Sequence, residues 1–257
     1  MLKLFRKIRY ELMEKNNSGK PASRTGRYFK YAVGEIVLVV IGILIALSIN
    51  NWNEERKKEV QGKEYTVEIY RDLKKDISRI DGILDKLEVN RITSRRILEI
   101  LENQRIIIED STLFSSDALN SSSVINVERQ NNTWDELTST GKIPMIDNDS
   151  LDMLLKDFYE YYDKQITQFS ETPAKMRERT RNILGQCLDI SSIDRYWKED
   201  GDKTLSKHWF SCYLNHPDAK NNLNAIHASS YWQINSFREI KATAQSIMNY
   251  MEENIVS

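Results

Sequence analysis

His208, Cys212 and His216 recur four residues apart, a spacing that on a helix turns two imidazoles and a thiol towards one face. By type these are metal ligands. Residues eight apart on a straight helix stand about 12 Å from each other, whereas one zinc holds its ligands at about 2.0–2.3 Å, so only a neighbouring pair could share an ion. No third ligand is identifiable. The expectation is therefore aromatic packing around Trp209, Phe210 and Tyr213, with no metal and no cofactor. A cysteine–histidine nucleophilic pair is formally available in the same stretch, but no orienting motif surrounds it.

Cys187 and Cys212 are the only cysteines. A disulfide between them would pin the intervening irregular segment to the helix before it, while two separate buried thiols are the alternative. Other chemistry is thinner still. Gly141-Lys142 lacks the earlier glycine and the following Ser or Thr of a phosphate loop, and neither a Gly-x-Ser-x-Gly elbow nor a His-Glu-x-x-His pair occurs. Asp157, Glu160 and Asp163 repeat along one helical stretch and read as a charged outer face. Tyr159, Tyr161 and Tyr162 read as core and rim. No catalytic residue follows, and a non-enzymatic protein is expected.

The elements that would carry these residues are helical. With Gly 9 and Pro 4 in 257 residues and almost no strand-like alternation, the sequence predicts an all-α protein. From Glu54 to about Asn103, apolar residues at Val67, Tyr70, Leu73, Ile77, Ile80, Leu84 and Leu87, then Ile97, Leu98 and Leu101, keep three-and-four spacing. The charged positions among them (Arg71, Asp72, Lys74, Lys75, Asp76) read as solvated surface. Residues 104–126 read as a long crossing loop, with a short strand at Ile106 to Ile108 as an option. A capping box of Thr133 and Glu136 starts the next helix, and Gly141 stops it. Asn148 or Asp149 caps a helix with a stripe of Leu151, Leu154, Leu155, Phe158, Tyr162, Ile166 and Phe169. Pro173 interrupts it, a further helix runs to about Leu188, and the last extends from about Asp218 to Asn254. Such helices bury their apolar faces only against each other, so an antiparallel bundle of about four helices is expected.

Ahead of the bundle lies an apolar run from Tyr31 to Ile49. About 19 residues at 1.5 Å rise approach the roughly 30 Å of a bilayer core, so this is read as a transmembrane helix. Met1 to Lys30 holds nine Lys or Arg residues against Glu11 and Glu14, and this basic arm predicts a cytoplasmic N-terminus with an extracytoplasmic C-terminal domain. A cleaved signal peptide is the competing reading, but the apolar run is longer and the leader further from the N-terminus than such peptides have. The expected organisation is thus a basic arm over residues 1–30, a span over 31–52 and a helical domain over 53–257. The net charge of −1 leaves the portion beyond the arm acidic, which argues against nucleic acid as a partner. Arg27, Lys30, Glu35 and Trp52 fall at the membrane interfaces. Gly34, Gly42 and Ala46 form a small-residue face that leaves room for a homodimer through the span.

Phe5-Arg6-Lys7-Ile8-Arg9, the anchor from Val33 to Leu47 running into Asn50-Asn51-Trp52-Asn53-Glu54, and Leu137-Thr138-Ser139-Thr140-Gly141-Lys142-Ile143 with Ile146, Asn148 and Leu151 resemble a family of uncharacterised bacterial single-span membrane proteins. The resemblance implies an inner-membrane protein with a helical periplasmic domain, and it brings no catalytic residues. The expected role is a membrane-anchored interaction or sensory module that binds a protein partner of unknown identity. The alternatives are a tethered enzyme using Thr138 to Lys142 or His208 to His216 on envelope material, and a structural subunit of an envelope complex.

Overall fold

A computed structural model of the chain describes residues 24–103, 111–130, 132–187 and 207–256. Among them the regular structure is entirely helical. In chain order the elements are α1 (Arg24–Asn103), α2 (Ser111–Ser121), α3 (Asn132–Thr140), a 3-10 turn (Ile143–Ile146), α4 (Asp149–Glu171), α5 (Pro173–Cys187), α6 (Lys207–Asn215), α7 (Ala219–Met251) and a π-helical end (Glu252–Val256). The all-α class expected from the sequence is the one found.

The chain divides into two compact units, residues 1–58 and 59–257. In the first, α1 presents its apolar residues outward on every side: Ile36, Val39, Ile43, Leu44 and Ile49 are all more than half exposed. By length and composition this part of α1 is apolar enough to cross a membrane.

In the second unit α1 has a different pattern. Its buried positions include Gly62, Thr66, Ile69, Leu73, Asp76, Ile80, Ile83, Leu87, Asn90, Ser94 and Ile97, in alternating steps of four and three, with Asp72, Thr93 and Leu98 buried beside them. That is a heptad seam, the spacing that keeps one stripe facing a neighbouring helix. The same rhythm runs through α7 at Leu223, Ile226, Ser230, Gln233, Phe237, Ile240, Ala244, Ile247 and Met251, and through α4 at Leu151, Leu155, Phe158, Tyr162, Gln165 and Phe169.

Cross-helix pairs fix the directions. Along α1, Tyr70 bonds Glu252, Asp81 meets Lys241 at 2.6 Å, and the Arg91 carbonyl lies 3.0 Å from His227 Nδ1, so α7 runs antiparallel to α1. Asn148 with Tyr250 and Tyr161 with Glu239 place α4 antiparallel to α7 as well. Arg177 of α5 reaches Asn90, Ser230 and Gln233, which carries the same direction onward past Pro173. The four long helices therefore form three columns, with α4 and α5 in succession along one of them.

Two apolar cores result. The larger joins Ile69 to Leu87 of α1 with Trp134, Leu137, Phe158, Tyr162, Phe237 and Ile247. Its rings pack edge to face, Phe237 lying 6.4 Å from Tyr162 and 6.2 Å from Phe169. The smaller core gathers Ile97, Leu98, Ala118, Ile183, Leu184, Tyr213 and Leu223.

Local signals match where their chemistry is strong. Asn148 caps α4, its side chain accepting from the Leu151 N–H at 2.8 Å, and Gly141 ends α3 with φ of 68°. Two expectations are corrected. Residues 111–121 form a helix and not a loop: its Asp117, 3% exposed, accepts from Arg96 Nε at 2.7 Å, so a side of this Ser-rich segment is buried despite its turn-like composition. The Thr133 hydroxyl, expected to pair reciprocally with Glu136, donates instead to Asp72 at 2.7 Å, while Glu136 accepts from Tyr65 at 2.7 Å. Ile106 to Ile108 lie outside the described residues.

Candidate functional site

Besides neutral polar residues such as Thr66, Ser94 and Gln165, the heptad seams are interrupted at two levels, and those levels hold the charged chemistry of the bundle interior. At the first, Asp72 and Asp76 stand on α1, 4% and 0% exposed. Both were expected on the solvated surface. Asp76 is buried because it occupies a seam position three residues after Leu73 and four before Ile80, whereas Asp72 lies beside the seam, where the Thr133 end of α3 meets it. Lys75 and Arg71 on the same turns do point outward, with side chains 57% and 60% exposed.

Asp72 takes the Thr133 hydroxyl and, at 3.3 Å, the Thr133 N–H, so a carboxylate on one helix caps the N-terminus of another. Asp76 accepts from the Gln130 N–H through Oδ1, while Oδ2 has no hydrogen-bond partner. The Tyr159 and Tyr162 hydroxyls are likewise buried and unpartnered. Burial pushes the Asp76 carboxyl up to about 7, against the pull of the Gln130 N–H, Arg129 and Arg79. It raises both tyrosines too, with the charge of Asp76 adding to the effect. Arg129 lies 5.0 Å over the Tyr159 ring and pairs with Asp163 and Asp135 at the rim. Burial opposes its charge, but those two carboxylates outweigh the opposition. Arg129 thus pairs at the rim through Nε and Nη2 while its Nη1 is buried without a hydrogen-bond partner, and Asp76 has no ion pair of its own among the described residues.

At the second level Arg177, 2% exposed, donates from Nε to Asn90 Oδ1 at 2.7 Å and from Nη2 to Ser230 and Gln233 at 3.3 and 3.2 Å. It sits 5.2 Å over the Phe169 ring. Asn90 in turn donates to the Asn120 carbonyl and to Ser123 Oγ, tying the end of α2 into the same layer. Burial, and then the neighbouring Arg181, push the Arg177 guanidinium down to about 10. The helices locate all of this from their seams: Asn90, Ser230 and Gln233 are heptad positions. Sequence reasoning missed both levels because it followed apolar residues alone. The signal that finds them is the unbroken four-three spacing, in which a polar residue is still an inward residue.

The residues expected to matter fall elsewhere. Trp52 is 64% exposed with Arg56 6.0 Å over its ring, and Glu35 is exposed. A Cβ added at Gly34 or Gly42 meets nothing, and Ala46 is exposed. A shallow groove of about 360 Å³ along Ile41, Leu44, Ile45, Ser48, Ile49 and Trp52 holds no ionisable group. The side chains of Arg27, Lys30 and His208 lie outside the described residues. Cys187 and Cys212 are joined by a disulfide with Cα atoms 5.5 Å apart. His216 Nδ1 accepts from the Asp218 N–H, and the described residues contain no metal-binding group of three or more ligands. The polar side chains from Thr138 to Lys142 are occupied locally: Thr138, Ser139 and Thr140 bond back to carbonyls of their own helix, and Lys142 reaches the Tyr65 hydroxyl at 2.9 Å. That contact closes the turn onto α1 beside Gly62, where a Cβ would overlap the Met145 carbonyl oxygen and lie 3.0 Å from its carbon.

Fold and interior together define a heptad-seamed helical protein with an apolar helical segment of membrane-spanning length. Residues 35–189 match a family of unknown function (DUF6090), and the chain belongs to that family. No curated protein and no solved structure matches it. The matched segment contains Asp72, Asp76, Arg129, Tyr159, Asn90 and Arg177, but not Ser230 or Gln233 on α7.

Proposed function

We propose that the protein is a non-enzymatic, membrane-anchored interaction or sensory module of a bacterial inner membrane, with the basic arm in the cytoplasm and the bundle in the periplasm. The observation that carries this reading is the outward-facing apolar surface of α1 between residues 32 and 49, a length of side chains that water would leave uncovered at high cost and that a bilayer covers. The excess of Lys and Arg before it supports the orientation. The Cys187–Cys212 disulfide supports an oxidising compartment for the bundle. Tyr231 and Trp232, 63% and 46% exposed on α7, support a protein-contacting face, since aromatics of this kind anchor interfaces. The open face of Gly34, Gly42 and Ala46 supports a second copy packed along the span.

Reporter fusions test the topology. Alkaline phosphatase fused after Ser257 is active and the same enzyme fused before Met1 is inactive; the opposite pattern overturns the orientation. For the dimer, Gly42→Leu lowers the yield of a cysteine crosslink placed in the span several-fold, and an unchanged yield removes that part of the reading.

A further inference from the structure

The Arg177 layer is unbalanced in a particular way. Three of its buried polar atoms have no hydrogen-bond partner: Arg177 Nη1, Gln233 Nε2 and Ser122 Oγ. All three can donate. The acceptors of the layer are already engaged, since Asn90 Oδ1, Ser230 Oγ and Gln233 Oε1 each face the guanidinium. Arg177 and Gln233 are joined through one hydrogen bond, so the free amide nitrogen and the free guanidinium nitrogen belong to two side chains in direct contact. Ser122 is held nearby, its carbonyl accepting from Arg181 Nη1 at 2.6 Å and its neighbour Ser123 accepting from Asn90. Among the described residues no carboxylate pairs with Arg177, and the charge that acts on it is a second cation, Arg181.

A buried ionised group without a counter-charge is among the costliest features a fold can contain. Water can meet hydrogen-bond needs here but brings no counter-charge to the guanidinium. A species that only accepts, and that carries one negative charge, satisfies both the hydrogen-bond surplus and the charge. Arg177 is almost fully enclosed while Arg181 reaches solvent in part, so one charge is to be balanced and not two. Enclosure also disfavours a strongly hydrated multivalent oxyanion.

We propose that the Asn90–Arg177–Gln233 layer is a binding site for a small monovalent inorganic anion of the chloride class, held by Arg177 Nη1 and Gln233 Nε2 with Ser122 within the same layer. Because α1, α5 and α7 all contribute, occupancy fastens the three columns together, and the site stands whichever side of a membrane the bundle occupies.

The test is thermal unfolding of the full-length protein in detergent micelles at fixed ionic strength, with sodium gluconate replaced stepwise by sodium chloride or sodium nitrate. Binding to the folded state alone raises Tm with the logarithm of anion concentration above Kd, by roughly 5–10 °C at a hundredfold excess over Kd. Gln233→Glu places a fixed carboxylate beside Arg177; that variant has a raised Tm in gluconate and no longer responds to chloride. Chlorine-35 line broadening by the wild-type protein, absent in Arg177→Met, reports the same site without unfolding. A wild-type Tm identical in chloride and gluconate, a chloride response retained by Gln233→Glu, or a response to sulfate in place of the monovalent anions would overturn the proposal.

Discussion

Asp76 makes the stability of the bundle depend on pH in the direction opposite to that of most carboxylates. The unfolded chain releases this proton near pH 4. In the folded protein, burial without an ion pair holds it until about 7. Between those values the folded state binds the extra proton, so its contribution is fully present below about pH 4 and is lost as pH rises through 7. The slope is about 1.4 kcal/mol per pH unit, and the whole interval is worth about 4 kcal/mol. Asp76→Asn keeps a carbonyl oxygen for the Gln130 N–H and supplies an amide where Oδ2 is unpartnered, so it imitates the protonated form at every pH. Arg129, Arg79, Asp72, Tyr159 and Tyr162 surround both versions, so the difference isolates position 76. Urea unfolding of the full-length protein in micelles, followed by circular dichroism from pH 4.5 to 8, gives that difference. The variant gains on the wild type by about 3 kcal/mol across the range. Stability curves that stay parallel would refute the assignment of Asp76 as a buried, unpaired acid.

Gly62→Ala forces a methyl into the Met145 carbonyl and lowers stability by roughly 1–3 kcal/mol, whereas Gly82→Ala, where a Cβ meets nothing, is neutral or stabilising by up to about 1 kcal/mol; the two melting temperatures move apart. Reducing the Cys187–Cys212 bridge, which closes a separation of 25 residues, removes about 3 kcal/mol and is read as an earlier urea midpoint with reductant than without. Asp72→Ala takes the cap from α3 at a cost of about 1–2 kcal/mol and speeds hydrogen exchange at the Thr133 amide.

How far the sequence could be read depended on what each residue's periodicity was taken to mean. Ile69, Leu73, Ile80 and Leu87 announce a helix face by being apolar, and Pro173 and Gly141 punctuate it by backbone chemistry, so element order and class are legible. Asp76, Asn90, Gln233 and Arg177 are polar, and polarity alone assigns them to solvent. Their inward direction is carried by alternating steps of three and four from one seam residue to the next, which requires setting residue type aside. The α2 helix was illegible for another reason. Ser111, Ser115, Ser116, Asn120 and Ser121 favour turns locally, and Ala118 packs against Ile97 and Leu98 of the smaller core, a long-range contact that local composition does not reveal. Thr133 chose Asp72 over Glu136 because a buried carboxylate from α1 arrives at the same N-terminus.

The two polar levels lie two heptads apart on α1, about 21 Å along the axis. Sliding α1 by that amount would bring Asp76 to the place of Asn90, opposite Arg177, but it would also carry Glu55 and Glu59 to the seam places that Ile69 and Leu73 now occupy. The displaced alignment would neutralise both buried charges; the native one keeps them apart. What holds the native alignment is therefore the apolar seam itself, helped by two local features: the notch at Gly62 that faces the Met145 turn, and the Asp72 cap on α3. The bundle behaves like a key whose teeth, apolar seam and notch alike, forbid the position in which Asp76 and Arg177 would meet, and each group keeps to its own level.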